Sequence, residues 1–158
     1  MAKRVKDLIV DIDKAPVRIG TSYPEPFRKY GEGRIKHALG DAVGLTRYGV
    51  NLVRMSPGTI SSARHWHARQ DEFIYILEGE IVLVTDEGET LIGAGTAVGF
   101  PAGNANGHHL INRSESDVVL LEVGDRTPGD QVTYSDIDML NTDIDGKRTF
   151  TRKDGTPY

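Results

Sequence analysis

The sequence predicts an all-β fold with extensions at both ends, and three observations carry that expectation. Gly and Pro punctuate the chain, at 18 and 7 of its 158 residues. Between the glycines of the middle of the chain lie short runs rich in Val, Ile, Leu, Tyr and Phe. No long stretch combines helical periodicity with caps at both ends. Short strands at such spacing build a sandwich or a barrel.

In chain order, residues 1 to about 45 read as an N-terminal arm of loops and short strands, extended over 23–27. Strands are expected over 46–55, 72–77, 80–85, 90–92, 97–100, 108–112, 118–123 and 131–134. Asp86-Glu87-Gly88 reads as the tip of a hairpin between two of them. Strand 72–77 is apolar at both parities, Ile74 and Ile76 against Phe73, Tyr75 and Leu77. Both of its faces are therefore expected to be buried, one inside the barrel and one beneath a second layer or a partner subunit. After Arg126 the chain reads as a C-terminal extension, and both extensions are expected to wrap the barrel. The length suits one domain over 1–158, its core barrel about 46–124, large enough to bury a core without covalent staples. The doubly apolar strand and the two extensions also predict a homodimer.

Composition narrows the function classes. A net charge of −4, from 23 acidic and 19 basic side chains, argues against a nucleic-acid partner, which favours a basic stripe. Lys3, Arg4, Lys6, Lys147, Arg148, Arg152 and Lys153 cluster near the termini and read as solvated surface. Phe73 to Leu77 is the longest apolar run, far short of the ~20 residues of a membrane span, so no membrane partner is expected. The N-terminal residues lack the apolar core of a signal peptide, and the chain has no cysteine, which excludes disulfides and thiolate ligands. These readings place the protein in the cytoplasm.

Four of the five histidines fall in two tight clusters. His65 and His67 flank Trp66, and on a strand such a pair faces one side, so both imidazoles can converge on one point. Glu72 follows after a short polar break, and His108 opens a later strand candidate. Three imidazoles and a carboxylate suit one divalent transition metal ion, Zn, Fe, Mn, Ni, Co or Cu, rather than Ca or Mg, which prefer oxygen. Arg54, Arg64, Arg69 and Arg126 are candidates for an anionic substrate, though each alone reads as surface. Tyr48, Trp66, Tyr75 and Phe100 are candidates for a pocket wall, Asp125 and Arg126 for a structural pair at the barrel edge, and His37 has no functional reading.

The framing of these residues resembles the two motifs of the cupin superfamily. The first reads Gly58, His65, His67, Glu72, Gly79, with one extra residue before His65; the second reads Gly95, Pro101, Gly103, His108, Asn112, with two extra residues before His108. That insertion leaves His109 as a rival, and the spacing to Asn112 favours His108. Further stretches, residues 107–110, 122–126 and 150–158, resemble small bacterial single-domain cupins of the quercetin-dioxygenase-like group. The resemblance implies a double-stranded β-helix, a jelly-roll barrel of two antiparallel sheets, with His65, His67, Glu72 and His108 on the metal. Asn112 is expected to be structural, and Gly58, Gly79, Gly95 and Gly103 to sit at tight turns.

Four protein ligands on an octahedral ion leave two positions for a small-molecule ligand, anionic or chelating. Three functions fit. The first is a dioxygenase-like metal enzyme, favoured by the three-His, one-Glu set. The second is a metal-dependent isomerase or epimerase of a sugar or sugar phosphate, favoured by the arginines beside His65 and His67. The third is a non-enzymatic small-molecule-binding module. No residue is singled out as catalytic, and fold resemblance alone does not choose among them.

Overall fold

The computed structural model describes residues 4–158, so Lys3 of the N-terminal basic cluster lies outside it. Thirteen strands follow one another: β1 Val17–Ile19, β2 Arg34–Ala38, β3 Tyr48–Met55, β4 His65–His67, β5 Glu72–Glu78, β6 Glu80–Thr85, β7 Gly88–Gly93, β8 Ala97–Phe100, β9 His109–Ile111, β10 Val118–Asp125, β11 Gln131–Tyr134, β12 Leu140–Ile144 and β13 Lys147–Thr151. Among the described residues the α-helical content is one turn, Leu39–Ala42.

The strands form two antiparallel layers. One is a six-stranded sheet in the order β1-β2-β3-β10-β5-β8. The other has two parts, β13-β12-β11-β4 and β7-β6-β9, joined by isolated bridges His65↔His108 and Ile60↔Ile111. The result is the jelly-roll barrel that the sequence predicts.

Alternation explains how the layers close. On β5 and β10 the inward rows are Ile76, Ile74, Glu72 and Leu120, Glu122, Gly124, paired across the sheet. Each row runs from apolar to polar along its strand. The apolar end forms a core of Val53, Met55, Ile74, Ile76, Ile81, Leu110, Val118 and Leu120, and the polar end is left for a site. A second cluster, Ala63, Val132, Tyr134 and Met139 with Tyr23 and Phe150 against it, seals the β4–β11 side.

The structure differs from the sequence expectation in three respects. The arm and the C-terminal segment do more than wrap: β1 and β2 extend the six-stranded sheet, and β11 pairs with β4. Strand β5 is buried on one face only; Ile74 and Ile76 enter the core, whereas Phe73, Tyr75 and Leu77 are exposed, because none of the described residues is layered over them. Asp125 and Arg126 do not pair with each other: Asp125 accepts hydrogen bonds from the backbone N–H of Asp71 and Thr127, and Arg126 binds Asp41. The four motif glycines do sit at turns, with φ of +80°, +81°, +88° and +76°.

Gly79 closes the β5–β6 turn where a Cβ would lie 3.1 Å from both the Asp117 carbonyl and the Val118 side chain; at Gly58 the same space is open. Gly79→Ala should therefore cost about 2 kcal/mol and Gly58→Ala only about 1, the cost of a left-handed alanine by itself. Urea denaturation checks this; equal losses at the two positions would refute the steric part.

Candidate metal centre

Strand β4 is three residues long, and its alternation points both imidazoles inward. It is held on one side by β11, with His67 opposite Val132 and His65 opposite Tyr134, and on the other by the His65↔His108 bridge. Glu72 opens β5 in the facing sheet, opposite Gly124. His65, His67 and Glu72 present atoms that all lie within 4.8 Å of one another. Glu72 Oε2 is 2.9 Å from His108 Nε2 and 3.5 Å from His65 Nε2, and Oε1 is 3.5 Å from His67 Nε2.

The Glu72 contacts come close to a metal's requirements, and His108 joins the group through Glu72, outside the three residues whose atoms all lie within 4.8 Å. Neighbouring ligands about 2.1 Å from one ion stand about 3 to 3.4 Å apart, depending on geometry. The outward ring nitrogens are also set: His67 Nδ1 donates to Asp130 Oδ2 at 2.6 Å, and His65 Nδ1 lies 2.9 Å from the Ala63 carbonyl. A proton on Nδ1 leaves the Nε2 lone pair facing the centre, the arrangement of metal-bound histidines. His108 is fixed instead by stacking, its ring 3.5 Å from that of Phe100 and parallel within 5°.

Without an ion the electrostatics favour an ionised Glu72, a neutral His108 and a protonated His67. Burial by itself raises the Glu72 carboxyl, but hydrogen bonds from His108 and His65 hold it well below the ordinary carboxylate range. Burial pushes His108 down, toward the neutral form a ligand needs. For His67 burial is the largest influence and opposes the charge, but the Asp130 hydrogen bond and the charges of Glu72 and Asp130 together outweigh it, so its pKa rises, toward the protonated form.

His67, Glu72 and His108 of the cluster line a cavity of about 200 Å³. Trp66, Leu83, Val98 and Phe100 give it apolar walls, while Thr85, Asn104 and Asn106 give it polar ones. Asn104 and Asn106 belong to the residues inserted before His108. Among the described residues no Lys or Arg lines the cavity.

Other sequence candidates fall elsewhere. The Nδ1 of His109 faces the Ser62 carbonyl at 3.1 Å, away from the cluster. Asp71, the carboxylate beside Glu72, is engaged by the Ala102 backbone N–H at 2.7 Å. Asn112 donates to the Met55 and Ser116 carbonyls at 2.9 and 2.8 Å, a structural role. Arg54 pairs with Asp117, and Arg64 joins Asp86, Asp136 and the Gly107 carbonyl and does not line the cavity. Tyr48 and Tyr75 are on the surface, and His37 faces the Ile12 carbonyl. Sequence reasoning missed Asp130, which acts on His67 from 63 positions away, and no local spacing signals that pairing.

Comparison with known proteins gives the following. Residues 51–124 match the Cupin domain family. A solved structure from Silicibacter pomeroyi DSS-3, described as a sugar phosphate isomerase from a cupin superfamily, is 45% identical over 95% of this chain and 96% of its own, with a TM-score of 0.91. One from Acidithiobacillus ferrooxidans ATCC 23270, described as a candidate sugar phosphate isomerase, is 25% identical over 98% of each chain, with a TM-score of 0.82. The polyketide cyclase RemF from Streptomyces resistomycificus is 23% identical over 87% of each chain, with a TM-score of 0.65, and shares the fold. No curated protein matches the chain.

If Asp130 orients His67 for a metal, Asp130→Asn should weaken metal binding about 10–100-fold. Asp71→Asn should leave it nearly unchanged. Titration with Co(II), followed by its absorption, measures both; equal affinities for Asp130→Asn and the parent would remove Asp130 from the site.

Proposed function

The chain belongs to the cupin superfamily, and from that footing we propose that it is a metal-dependent isomerase of a sugar or sugar phosphate. In this reading His65, His67, Glu72 and His108 hold one divalent transition metal ion. The observation that carries it is the donor cluster beside a cavity with hydrogen-bonding side chains on its wall, in a chain 45% identical to a protein described as a sugar phosphate isomerase.

A divalent ion held by these four residues would polarise a carbonyl and acidify the adjacent C–H, one part of what aldose–ketose interconversion requires, the other being a base to carry the proton. The protein's own part is binding and orientation. The amides of Asn104 and Asn106 and the hydroxyl of Thr85 suit sugar hydroxyls, as donors and acceptors alike. Leu83, Val98, Phe100 and Trp66 keep water away from the reacting carbons.

A dioxygenase-like reaction is the second reading, and the donor set favours it: three imidazoles and one carboxylate suit Fe(II) as well as Zn or Mn. Oxygen dependence separates the two.

Purified without chelator, the protein should carry about one transition-metal ion per chain, lost in His65→Ala, His108→Ala and Glu72→Gln and retained in His109→Ala. The imidazoles must be neutral and Glu72 ionised to bind, so protons compete and the ion should be released as pH falls. The loaded protein should exchange deuterium from solvent into an aldose, a ketose or one of their phosphates without oxygen. Metal binding with turnover only in air would overturn the isomerase in favour of the oxygenase. Full metal occupancy in His108→Ala would overturn the ligand set.

A further inference from the structure

The cavity wall supplied by the residues before His108 has a fixed polarity. Asn106 Oδ1 lies 2.9 Å from the backbone nitrogen of Asp86, at the β6–β7 hairpin tip. A backbone N–H can only donate, so the amide atom that meets it is the carbonyl oxygen, and the orientation of the side chain is settled. The Nδ2 of Asn106 keeps two protons with no partner among the described residues, and it is not sealed from solvent. Asn106 lines the cavity, so the group it has left to present there is a donor. Thr85, on the same lining, is set in a similar way. Its hydroxyl oxygen accepts from the Glu87 N–H at 3.2 Å, and its proton meets the Gly88 carbonyl only at 3.5 Å.

The orientation of Asn106 is held from both sides. Arg64 binds the Asp86 carboxylate, both carboxylate oxygens of Asp136 at 2.6 and 2.9 Å, and the Gly107 carbonyl at 3.4 Å. One guanidinium thus ties the hairpin tip to the residue after Asn106. A Cβ on Gly107 would collide with the Ser135 side chain, so that residue is seated against the turn after β11. His108 follows, its Nε2 2.9 Å from Glu72 Oε2. The donor of Asn106 and the imidazole of His108 therefore belong to one short, braced segment.

We propose that Asn106 is the specificity-determining residue of the site. A ligand that chelates the ion through one end is oriented by an acceptor oxygen at its other end, which takes a hydrogen bond from Asn106 Nδ2. The inference rests on the metal centre proposed above and narrows its ligands to compounds with such an oxygen beyond the chelating pair. A carboxylate oxygen binds most tightly there, because the bond is charge-assisted. A ligand with a methyl group at that place leaves the amide unpaired and loses affinity. Asn106 is one of the residues by which this chain departs from the cupin spacing, so the preference belongs to the insertion and not to the four-ligand pattern.

Hydroxy-acid probes of graded reach test this without turnover. Malate, 2-hydroxyglutarate and 2-hydroxyadipate share one chelating end and carry a second carboxylate at increasing distance. In 2-hydroxybutyrate, 2-hydroxyvalerate and 2-hydroxycaproate a methyl group replaces that carboxylate. Each is titrated into the Co(II)-loaded protein and followed by absorption. At the length that reaches Asn106, the dicarboxylate should bind at least about 10-fold more tightly than its methyl counterpart. Asn106→Ala should lower that ratio about 10-fold, with the spectrum before ligand addition and the affinity for the methyl compounds at the parent's values. Asn106→Asp keeps an oxygen for the Asp86 N–H but sets a carboxylate against the ligand's, so the ratio should fall further. A ratio that neither variant changes at any length overturns the proposal. So does an equal loss of both ligand series, the mark of a merely structural role. A chain that takes up no Co(II) overturns the metal centre and this inference with it. Absence of deuterium exchange into sugars, with the ratio intact, overturns the isomerase alone and leaves Asn106 in its role.

Discussion

A carboxylate withdrawn from water is the constraint on which the polar end of this barrel depends. Moving an unpaired ion into a protein interior costs several kcal/mol even after relaxation. Glu72 stays ionised there because three imidazoles surround it, with His108 Nε2 as near as 2.9 Å. Two of those imidazoles have hydrogen-bond partners on their far sides, while the buried Nδ1 of His108 has none. His67 finds Asp130, which the Arg69 backbone N–H also engages, at 2.8 Å, and His65 finds the Ala63 carbonyl. The requirement thus spreads outward from Glu72, through both layers of the barrel, to the turn before β11. Asp130 shows how far it reaches: hydrogen bonds from His67 and from backbone N–H groups hold its carboxyl below the usual value although burial works the other way.

The rim is fastened to the same elements. Arg64 precedes His65 and binds Asp86 at the hairpin tip, the Gly107 carbonyl before His108, and Asp136 after β11. Asn106 accepts from the Asp86 backbone N–H at 2.9 Å, and the Gly103 N–H donates to the His67 carbonyl at 2.8 Å. The segment between Pro101 and His108 is therefore braced at several points. A braced rim suits a small cavity whose polar groups must meet a substrate at fixed positions, because little freedom remains to be lost on binding.

What was legible in the sequence was whatever period two and motif spacing encode. Alternation gave β3, β5, β6, β8 and β10 nearly to their ends, and glycine spacing marked turns that carry positive φ. His65 and His67 were readable as a same-face pair, and Glu72 and His108 as their complement. Strands β2, β12 and β13 were not visible, because Arg34, Lys36, Asp143, Lys147 and Arg148 break the apolar pattern of edge-side strands that are stabilised by ladder bonds more than by burial. Asp130 was hidden because its meaning depends on β11 lying against β4. The openness of Phe73, Tyr75 and Leu77 was hidden for the converse reason: alternation says that two faces are apolar, but not how many layers one chain supplies.

Strand β5 joins the two faces of the molecule. Glu72 and Phe73 are adjacent residues pointing to opposite sides, so the backbone that aims the carboxylate is the backbone whose outer side chains are unsupported by this chain. Protein interiors are close-packed and transmit strain, whereas a sheet open on one side can bend. Inside the cavity the balance of charge is equally simple. With the proposed ligand set, three neutral imidazoles and one carboxylate leave a divalent ion a charge of about +1, and no Lys or Arg among the described residues adds to it within the lining. The pull on an anionic or chelating substrate then comes from the ion alone and falls on whichever oxygens reach it. In the proposed isomerase, selection among sugars would fall to Thr85, Asn104 and Asn106, which are neutral, directional and able to tell one hydroxyl arrangement from another.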